Sequence, residues 1–309
     1  MKKCAIVYNS HSGRKKYLLE NLEHDFNDIL IEYGYTAAYY KSNYEGAVTD
    51  IIQNLDDDLD LVISIGGDGT FSEALKGNFK REKKLVISHL PTGTTNDIGK
   101  MYGYGKDMIN NLRLLLSGEE KKVDVCTINN IPFAYVSGFG RFLNIPYETS
   151  RKNKKIFGYL AYIGRATKEL FARIKTYNLS YEVNGEVHEG NYSLVLVTNS
   201  TRIAALNSIF NDIKLDDGYF EVLLCDLKKR NQFAKSLIYL ASNDIKDVPG
   251  LYYYKTNKIT INNIKKDKIE WDIDGERVTV CGEKIVIELA KTMIRIPSKN
   301  ISNLFVNKS

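Results

Sequence analysis

Residues 61–77 read "LVISIGGDGTFSEALKG". A short apolar run ends on Gly66 and Gly67, a lone acid stands at Asp68, Gly69 and Thr70 follow, and a helix-like segment over 71–76 then begins. An apolar run of strand length bounded by glycines is the pattern of a buried strand leaving a sheet into a turn. Outward from it, "CAIVY" at 4–8 is a further apolar strand, and 36–40, 59–65 and 85–90 complete a set of four. Between them Leu18, Leu22, Phe26, Ile29, Leu30 and Tyr33 recur at helical spacing until Gly34. Ala47, Val48, Ile51, Ile52 and Leu55 mark another amphipathic helix. Strands alternating with helices predict a doubly wound, mainly parallel α/β sheet with helices on both faces.

The pattern changes near Val123. Strand and turn signals then dominate, with Asn184-Gly185 as a hairpin turn in "LSYEVNGEVHEGNYSLVLVTNS". Further strands are expected at 219–225, 258–264, 268–273 and 284–289, interrupted by helices at 158–175 and 231–242. The expected organisation is an α/β domain over 1–122, with 291–309 packing back on it, and a mainly antiparallel β-sandwich domain over 123–290. Without a low-complexity linker, the two should pack closely with a cleft between them.

The 309-residue chain is 43% hydrophobic and 26% charged, an ordinary globular composition. No run approaches the roughly 18 apolar residues of a membrane span. The opening "MKKCAIVYNSHSG" is too short in its apolar part for an export signal, so a cytoplasmic protein is expected. Cys4, Cys126, Cys225 and Cys281 are scattered, as are His11, His24, His89 and His188, which disfavours a thiolate or zinc centre. A net charge of +5 is modest, but "GRKK" at 13–16, "SRKNKK" at 150–155 and "DLKKRN" at 226–231 concentrate it. Such runs are ordinarily solvated and acquire meaning only if the fold gathers them on one face.

In open α/β sheets ligands sit at the carboxyl ends of the strands. Glycines there let backbone amides approach an anion, and a following helix adds positive partial charge, so Gly66–Thr70 suits a phosphate. Asp68 would repel a bare phosphate and makes sense beside a metal ion; equally, it could cap the next helix. A second loop, "LPTGTTNDIG" at 90–99, opens another helix with Thr94, Asn96 and Asp97 at its start. A third, after the first strand, puts Asn9, Ser10, Ser12 and Gly13 on the same edge. No GxxxxGK[ST] loop is present, and no GxGxxG follows the first strand.

"GGDGT" together with "PTGTTND" resembles the diacylglycerol kinase catalytic-domain family, specifically its soluble bacterial lipid kinases. "YETSRKNKKIFGYLAY" at 147–162, "KLDDGYFEV" at 214–222 and "DIDGE" at 272–276 fall in the family's order, so the resemblance covers nearly the whole chain. It implies transfer of the γ-phosphoryl group of ATP to the hydroxyl of diacylglycerol, giving phosphatidic acid, with magnesium. Asn9, Ser12, Gly13, Gly67, Asp68, Gly69, Thr70, Glu73, Thr94, Asn96 and Asp97 would line the ATP site, Asp68 through magnesium. Asp274 would take the proton from the lipid hydroxyl, with Glu276 assisting. Asp217, with carbonyls of Lys214 and Tyr219, would hold a structural magnesium ion. Read without the resemblance, "DG" at 274–275 and "LDDG" at 215–218 are simply turns.

The chain departs from the family at Ser72, where asparagine is usual, and across 200–213. The acceptor is therefore the least fixed element: a sphingoid base or a glycerophospholipid are alternatives. So, at lower weight, are NAD kinase activity and a catalytically silent nucleotide- or lipid-binding regulator. The partners implied are ATP and a lipid at the cytoplasmic membrane face, approached peripherally through Arg14, Lys15, Lys16, the 150–155 run and Arg165, with no nucleic acid. A homodimer stays open.

Overall fold

A computed structural model describes residues 1–9, 16–140, 175–203, 206–207, 213–226, 248–263, 269–279, 283–297 and 302–306. The chain forms two compact units. One comprises Met1–Tyr135, Ser200–Gly218 and Ala290–Ser309; the other comprises Val136–Asn199 and Tyr219–Leu289. The first unit thus takes in Ser200–Gly218, a segment inside the 123–290 span read from sequence as the second domain.

Unit one runs β1 (Lys2–Asn9), α1 (Lys16–Glu32), β2 (Tyr35–Ser42), α2 (Ala47–Gln53), β3 (Leu61–Gly66), α3 (Asp68–Phe79), β4 (Ile87–Pro91), α4 (Asp97–Met101), α5 (Met108–Leu116), β5 (Glu119–Ile128) and β6 (Ile131–Phe133). The sheet order is β2-β1-β3-β4, with all three pairings parallel. Every residue of β3 is buried, as expected of a strand covered on both faces. Phe26, Ile29 and Leu30 form the buried stripe of α1, at the three- and four-residue spacing of one helix face. Gly34, at φ 80°, ends that helix in a left-handed conformation closed to most side chains. From β1 the chain crosses to β2 on one side and then to β3 on the other. The sheet therefore has its switch point between the carboxyl ends of β1 and β3, at Asn9 and Gly66.

Helix α2, seven residues long, depends on its neighbours for its ends. Gly46 at its N-cap supplies no side-chain cap. The carboxylate of Glu73, on α3, accepts the Val48 N–H at 3.2 Å. At the other end the buried Arg81 guanidinium donates to the carbonyls of Ile52 (3.0 Å), Gln53 (3.2 Å) and Leu55 (2.6 Å), and to Lys83 O at 3.1 Å. It also pairs with Asp57. A seven-residue helix is not stable by itself in water, so these contacts supply what its own sequence lacks.

The chain continues through β7 (Val136–Gly140), β8 (Tyr177–Val183), β9 (Glu186–Tyr192) and β10 (Leu194–Thr198), and then a hairpin of β11 (Arg202–Ile203) and β12 (Leu206–Asn207) in unit one. It ends with β13 (Phe220–Cys225), β14 (Leu251–Thr256), β15 (Lys258–Asn263), β16 (Glu270–Ile273), β17 (Glu276–Thr279) and β18 (Lys284–Ile296). In unit two, β14-β13-β10-β7-β16-β17 form one antiparallel sheet. The first part of β18 pairs with β15, β15 with β8 and β8 with β9 to form the other, also antiparallel. Phe139 packs edge-on against Trp271 in its own sheet (4.9 Å) and against Tyr177 of the facing sheet (5.0 Å). The fold is the expected one, a mainly parallel α/β unit and an antiparallel sandwich. The strand expected at 284–289 runs on to Ile296, and its last turn of sequence pairs in parallel with β4 in unit one, Ile294 opposite Ile87. The expected helices at 158–175 and 231–242 lie outside the described residues, apart from Lys175. No helix among the described residues is long and apolar enough to cross a membrane.

Replacing Arg81 by alanine should leave several carbonyls at the end of α2 without a donor. The expected loss is roughly 2–4 kcal/mol of unfolding free energy, read as a lower urea midpoint at unchanged slope.

Candidate functional site

The edge at the carboxyl ends of β1, β3 and β4 brings the glycine loops together. Any side chain at Gly66 would collide with Thr70, so the turn from β3 into α3 closes only around glycine. The second loop crosses the first at Gly93, where a Cβ would stand 2.7 Å from the Gly67 Cα. The two loops are also joined by Thr92 N–H donating to Gly66 O at 2.6 Å. Gly69 differs from these. A Cβ built there meets nothing within 4 Å, so neither packing nor a left-handed backbone demands glycine at this position. It sits in the first turn of α3, where the helix dipole favours an anion. Open space therefore adjoins the backbone at Gly69.

Asp68 opens α3 and resolves the sequence ambiguity in an unforeseen way. Its carboxylate caps a helix, but that helix is α4. Oδ2 accepts the Asp97 N–H at 3.0 Å and Oδ1 the Ile98 N–H at 3.1 Å. Asn96, at the N-cap of α4 with φ 52°, makes no side-chain cap bond; its amide instead donates to Gly93 O at 3.1 Å. Asp68 thus locks the second loop onto the first.

The remaining residues expected to line a nucleotide are placed as follows. Thr94 is exposed, Thr70 and Asp97 are buried, and Glu73 reaches to α2. Asn9 ends β1 level with Ser42 of β2. Ser10, Ser12, Gly13, Arg14, Lys15, the 150–155 run and Arg165 lie outside the described residues; Lys16 opens α1. Ser72 is wholly buried on α3, and its hydroxyl has no hydrogen-bond partner among the described residues. Nothing in the structure explains that substitution.

His89 on β4 was not singled out by sequence. It is buried against Phe71, ring centroids 5.3 Å apart, with Nδ1 3.2 Å from Ser64 O. Burial pushes its pKa down to about 4, opposed by the Ser64 carbonyl.

In unit two, Asp274 and Gly275 adopt φ 52° and 88°, so the turn reading of "DG" is correct as geometry. Ile273 pairs with Glu276 across a two-residue hairpin, and Asp272 Oδ1 accepts the Gly275 N–H at 2.9 Å. Yet Asp274 is only 4% exposed, which an ordinary hairpin-tip aspartate is not. Its N–H donates to Val136 O at 2.8 Å and its carboxylate accepts the Val136 N–H at 3.2 Å, docking the hairpin on β7. Glu276 is partly buried at the start of β17.

The "LDDG" turn is held from two sides of unit one. Asp124 on β5 donates its N–H to Leu215 O (2.7 Å) and accepts the Gly218 N–H through Oδ2 (2.7 Å). Leu215 N–H donates to Leu304 O and Asp216 accepts the Val306 N–H, both at 2.7 Å. The Lys214 ammonium turns to Asn303 O. Asp217 is partly buried in this braced turn, and Tyr219, where the chain returns to unit two, is exposed. Among the described residues, no three His, Cys, Asp or Glu side chains gather as metal ligands.

Residues 3–128 match the family model described as the diacylglycerol kinase catalytic domain. Residues 147–294 match the one described as the YegS C-terminal NAD kinase beta sandwich-like domain. The chain is 26% identical over 279 residues to a protein named diacylglycerol kinase from Staphylococcus aureus (strain bovine RF122 / ET3-1), covering 89% of this chain and 86% of that one. It is 25% identical over 279 residues to one of the same name from Staphylococcus saprophyticus subsp. saprophyticus, covering 89% of each. A crystal structure of a diacylglycerol kinase from Bacillus anthracis str. Sterne superposes with a TM-score of 0.72 at 21% identity, over 96% of this chain and 97% of that one. This last likeness bears on the fold.

Two outcomes follow from the site's chemistry. Asp68→Ala should release the start of α4, costing about 1 kcal/mol and speeding hydrogen exchange at the Ile98 amide. The His89 proton gives a pH signature. The unfolded chain binds it below pH 6.5 and the folded chain only near 4, so stability rises between those values and is fully present above 6.5. The rise should be on the order of 3 kcal/mol in chemical unfolding, and should shrink by that amount in His89→Leu.

Proposed function

We propose that this chain, which belongs to the diacylglycerol kinase catalytic-domain family, transfers the γ-phosphoryl group of ATP to the hydroxyl of diacylglycerol, giving phosphatidic acid. The observation that carries the nucleotide half of this reading is Gly69: a helix-start position where glycine is unneeded by the fold and space is left beside the backbone. Phosphates lying there would meet helix amides and the dipole of α3, with Gly66, Gly67, Thr70 and the 92–97 loop around them. The acceptor half rests on the buried Asp274 and on the named relatives.

Magnesium held through Asp68 would neutralise phosphate charge during transfer. A second, structural magnesium ion suits the donors of the "LDDG" turn. Asp217 offers a carboxylate and Lys214 and Tyr219 offer carbonyls, all hard oxygens, in a turn already braced by Asp124 and the 302–306 segment. In the transfer, the lipid hydroxyl oxygen bonds to the γ-phosphorus as the bond to the bridging oxygen breaks and ADP leaves. The hydroxyl proton passes to the Asp274 carboxylate, which Val136 N–H holds in place. Glu276, at the start of β17 just after the hairpin turn, would assist. Asp68 acts by fixing the loop that begins α4 and so the walls around the phosphates. The acceptor lipid lies in a membrane surface, and the basic residues at 14–16, 150–155 and 165 would supply peripheral contact from the cytoplasmic side.

The test is transfer from γ-labelled ATP to a panel of diacylglycerol, a sphingoid base, a glycerophospholipid and NAD, in mixed micelles with magnesium. Label should enter diacylglycerol, and Asp274→Asn should lower turnover by about 100- to 10,000-fold. Label on NAD alone overturns the reading, and label on another lipid alcohol changes the acceptor only. Gly69→Ala separates fold from function. It should keep or slightly raise the melting temperature, since alanine is the better helix residue, and it should still lose activity.

A further inference from the structure

The carboxylate beneath the "LDDG" turn has a cation of its own. Asp124, on β5, has a side chain that is 0% exposed. A carboxylate taken wholly out of water is costly unless a positive charge stands against it. Lys291 supplies that charge, its Nζ 3.3 Å from Asp124 Oδ1. Lys291 lies on β18, which pairs with β5, and its own side chain is 51% exposed. The ammonium therefore meets the carboxylate from the solvent side, on a long stem that can also carry it out into water. Lys214 is on the turn itself, but its ammonium donates to Asn303 O.

The other oxygen of the same carboxylate shapes the turn. Oδ2 accepts the Gly218 N–H at 2.7 Å, and the Asp124 N–H donates to Leu215 O at 2.7 Å. Gly218, at φ 79°, closes the turn in the left-handed region, and Asp217 directly precedes it. One ion pair and one hydrogen bond thus connect Lys291 to the backbone beside Asp217, all within unit one. A unit charge so placed has two opposite effects on a cation site at the turn. It offsets the buried charge of Asp124, and so supports the bond to Gly218 before any metal arrives. It also repels a divalent ion and cancels part of the negative potential that would attract one.

We propose that Lys291 is the resident counter-cation of the "LDDG" turn: acting through Asp124, it forms the turn in advance of magnesium and lowers the turn's affinity for that ion. The inference rests on the reading of this turn as a structural magnesium site. Lys291 is a positioning residue here and not a metal ligand.

The test titrates magnesium calorimetrically into the full chain without nucleotide, and follows urea unfolding with and without the ion. Lys291→Met should lower the urea midpoint of the metal-free chain and bind magnesium roughly tenfold more tightly, while Lys291→Arg should match the wild type. Magnesium should accordingly raise the midpoint more in Lys291→Met than in the wild type. Adding Asp217→Ala to Lys291→Met should abolish the binding, which assigns the ion to the turn. Asp124→Asn removes the buried charge and keeps an amide oxygen for the Gly218 N–H, so in that background Lys291→Met should no longer lower the midpoint. Unaltered magnesium affinity in Lys291→Met overturns the inference, as does an equal loss of midpoint in both backgrounds. If Lys291→Met alone does not fold, recovery by magnesium or by Asp124→Asn supports the inference, and recovery by neither overturns it. Magnesium binding by neither the wild type nor Lys291→Met, or binding that survives Asp217→Ala, overturns the structural-magnesium reading itself, and this inference with it.

Discussion

Helix ends at a sheet edge expose backbone donors and acceptors that must be satisfied, and in unit one α3 and the turn after it do most of that work. Asp68 takes two N–H groups of α4, Glu73 takes one of α2, and Arg81 supplies the far end of α2. Asn78 adds a fourth link, its amide donating to Leu85 O at 3.0 Å and its carbonyl accepting the Leu85 N–H at 2.9 Å ahead of β4. Neither α2 nor α4 carries a side-chain cap of its own. Local rules of helix capping therefore fail for both, and succeed only when the cap is sought on another element.

The same arrangement explains why residues read as nucleotide-facing turn out to have structural partners. Loops that leave the carboxyl edge of a sheet with backbone amides accessible have little packing to hold them. Fixing each loop by a carboxylate from the neighbouring helix keeps them in place without filling the space in front of them. Gly67 and Gly93, backbone against backbone, tighten the same edge, while Gly69 keeps it open. Structural capping thus falls on the residues that the sequence marks as ligand-facing, and Asp68 performs it for α4.

Unit two shows the converse. Asp274 occupies the hairpin tip that its "DG" sequence dictates, with both central residues at positive φ. Local sequence fixes the turn, and the docking of that turn on β7 through Val136 buries the carboxylate. The backbone makes the turn, and the side chain docks it on β7.

Read alone, the sequence determined the two-unit architecture. Periodicity of apolar residues and glycine punctuation are local properties, and β3, α1 and the Asn184-Gly185 hairpin follow from them directly. It also marked the glycine loops and the late acids as the places to look. Tertiary structure alone decided which helix Asp68 caps, what Glu73 and Arg81 hold, and that β18 runs on to Ile296. It likewise buried His89 and left Tyr44 exposed after β2. The physical reason is the same in each case. Backbone preference acts over a few residues, whereas satisfaction of a buried polar group depends on whatever the fold brings within 3 Å, and that neighbour stands 25 to 30 residues away in sequence for Glu73 and Asp68.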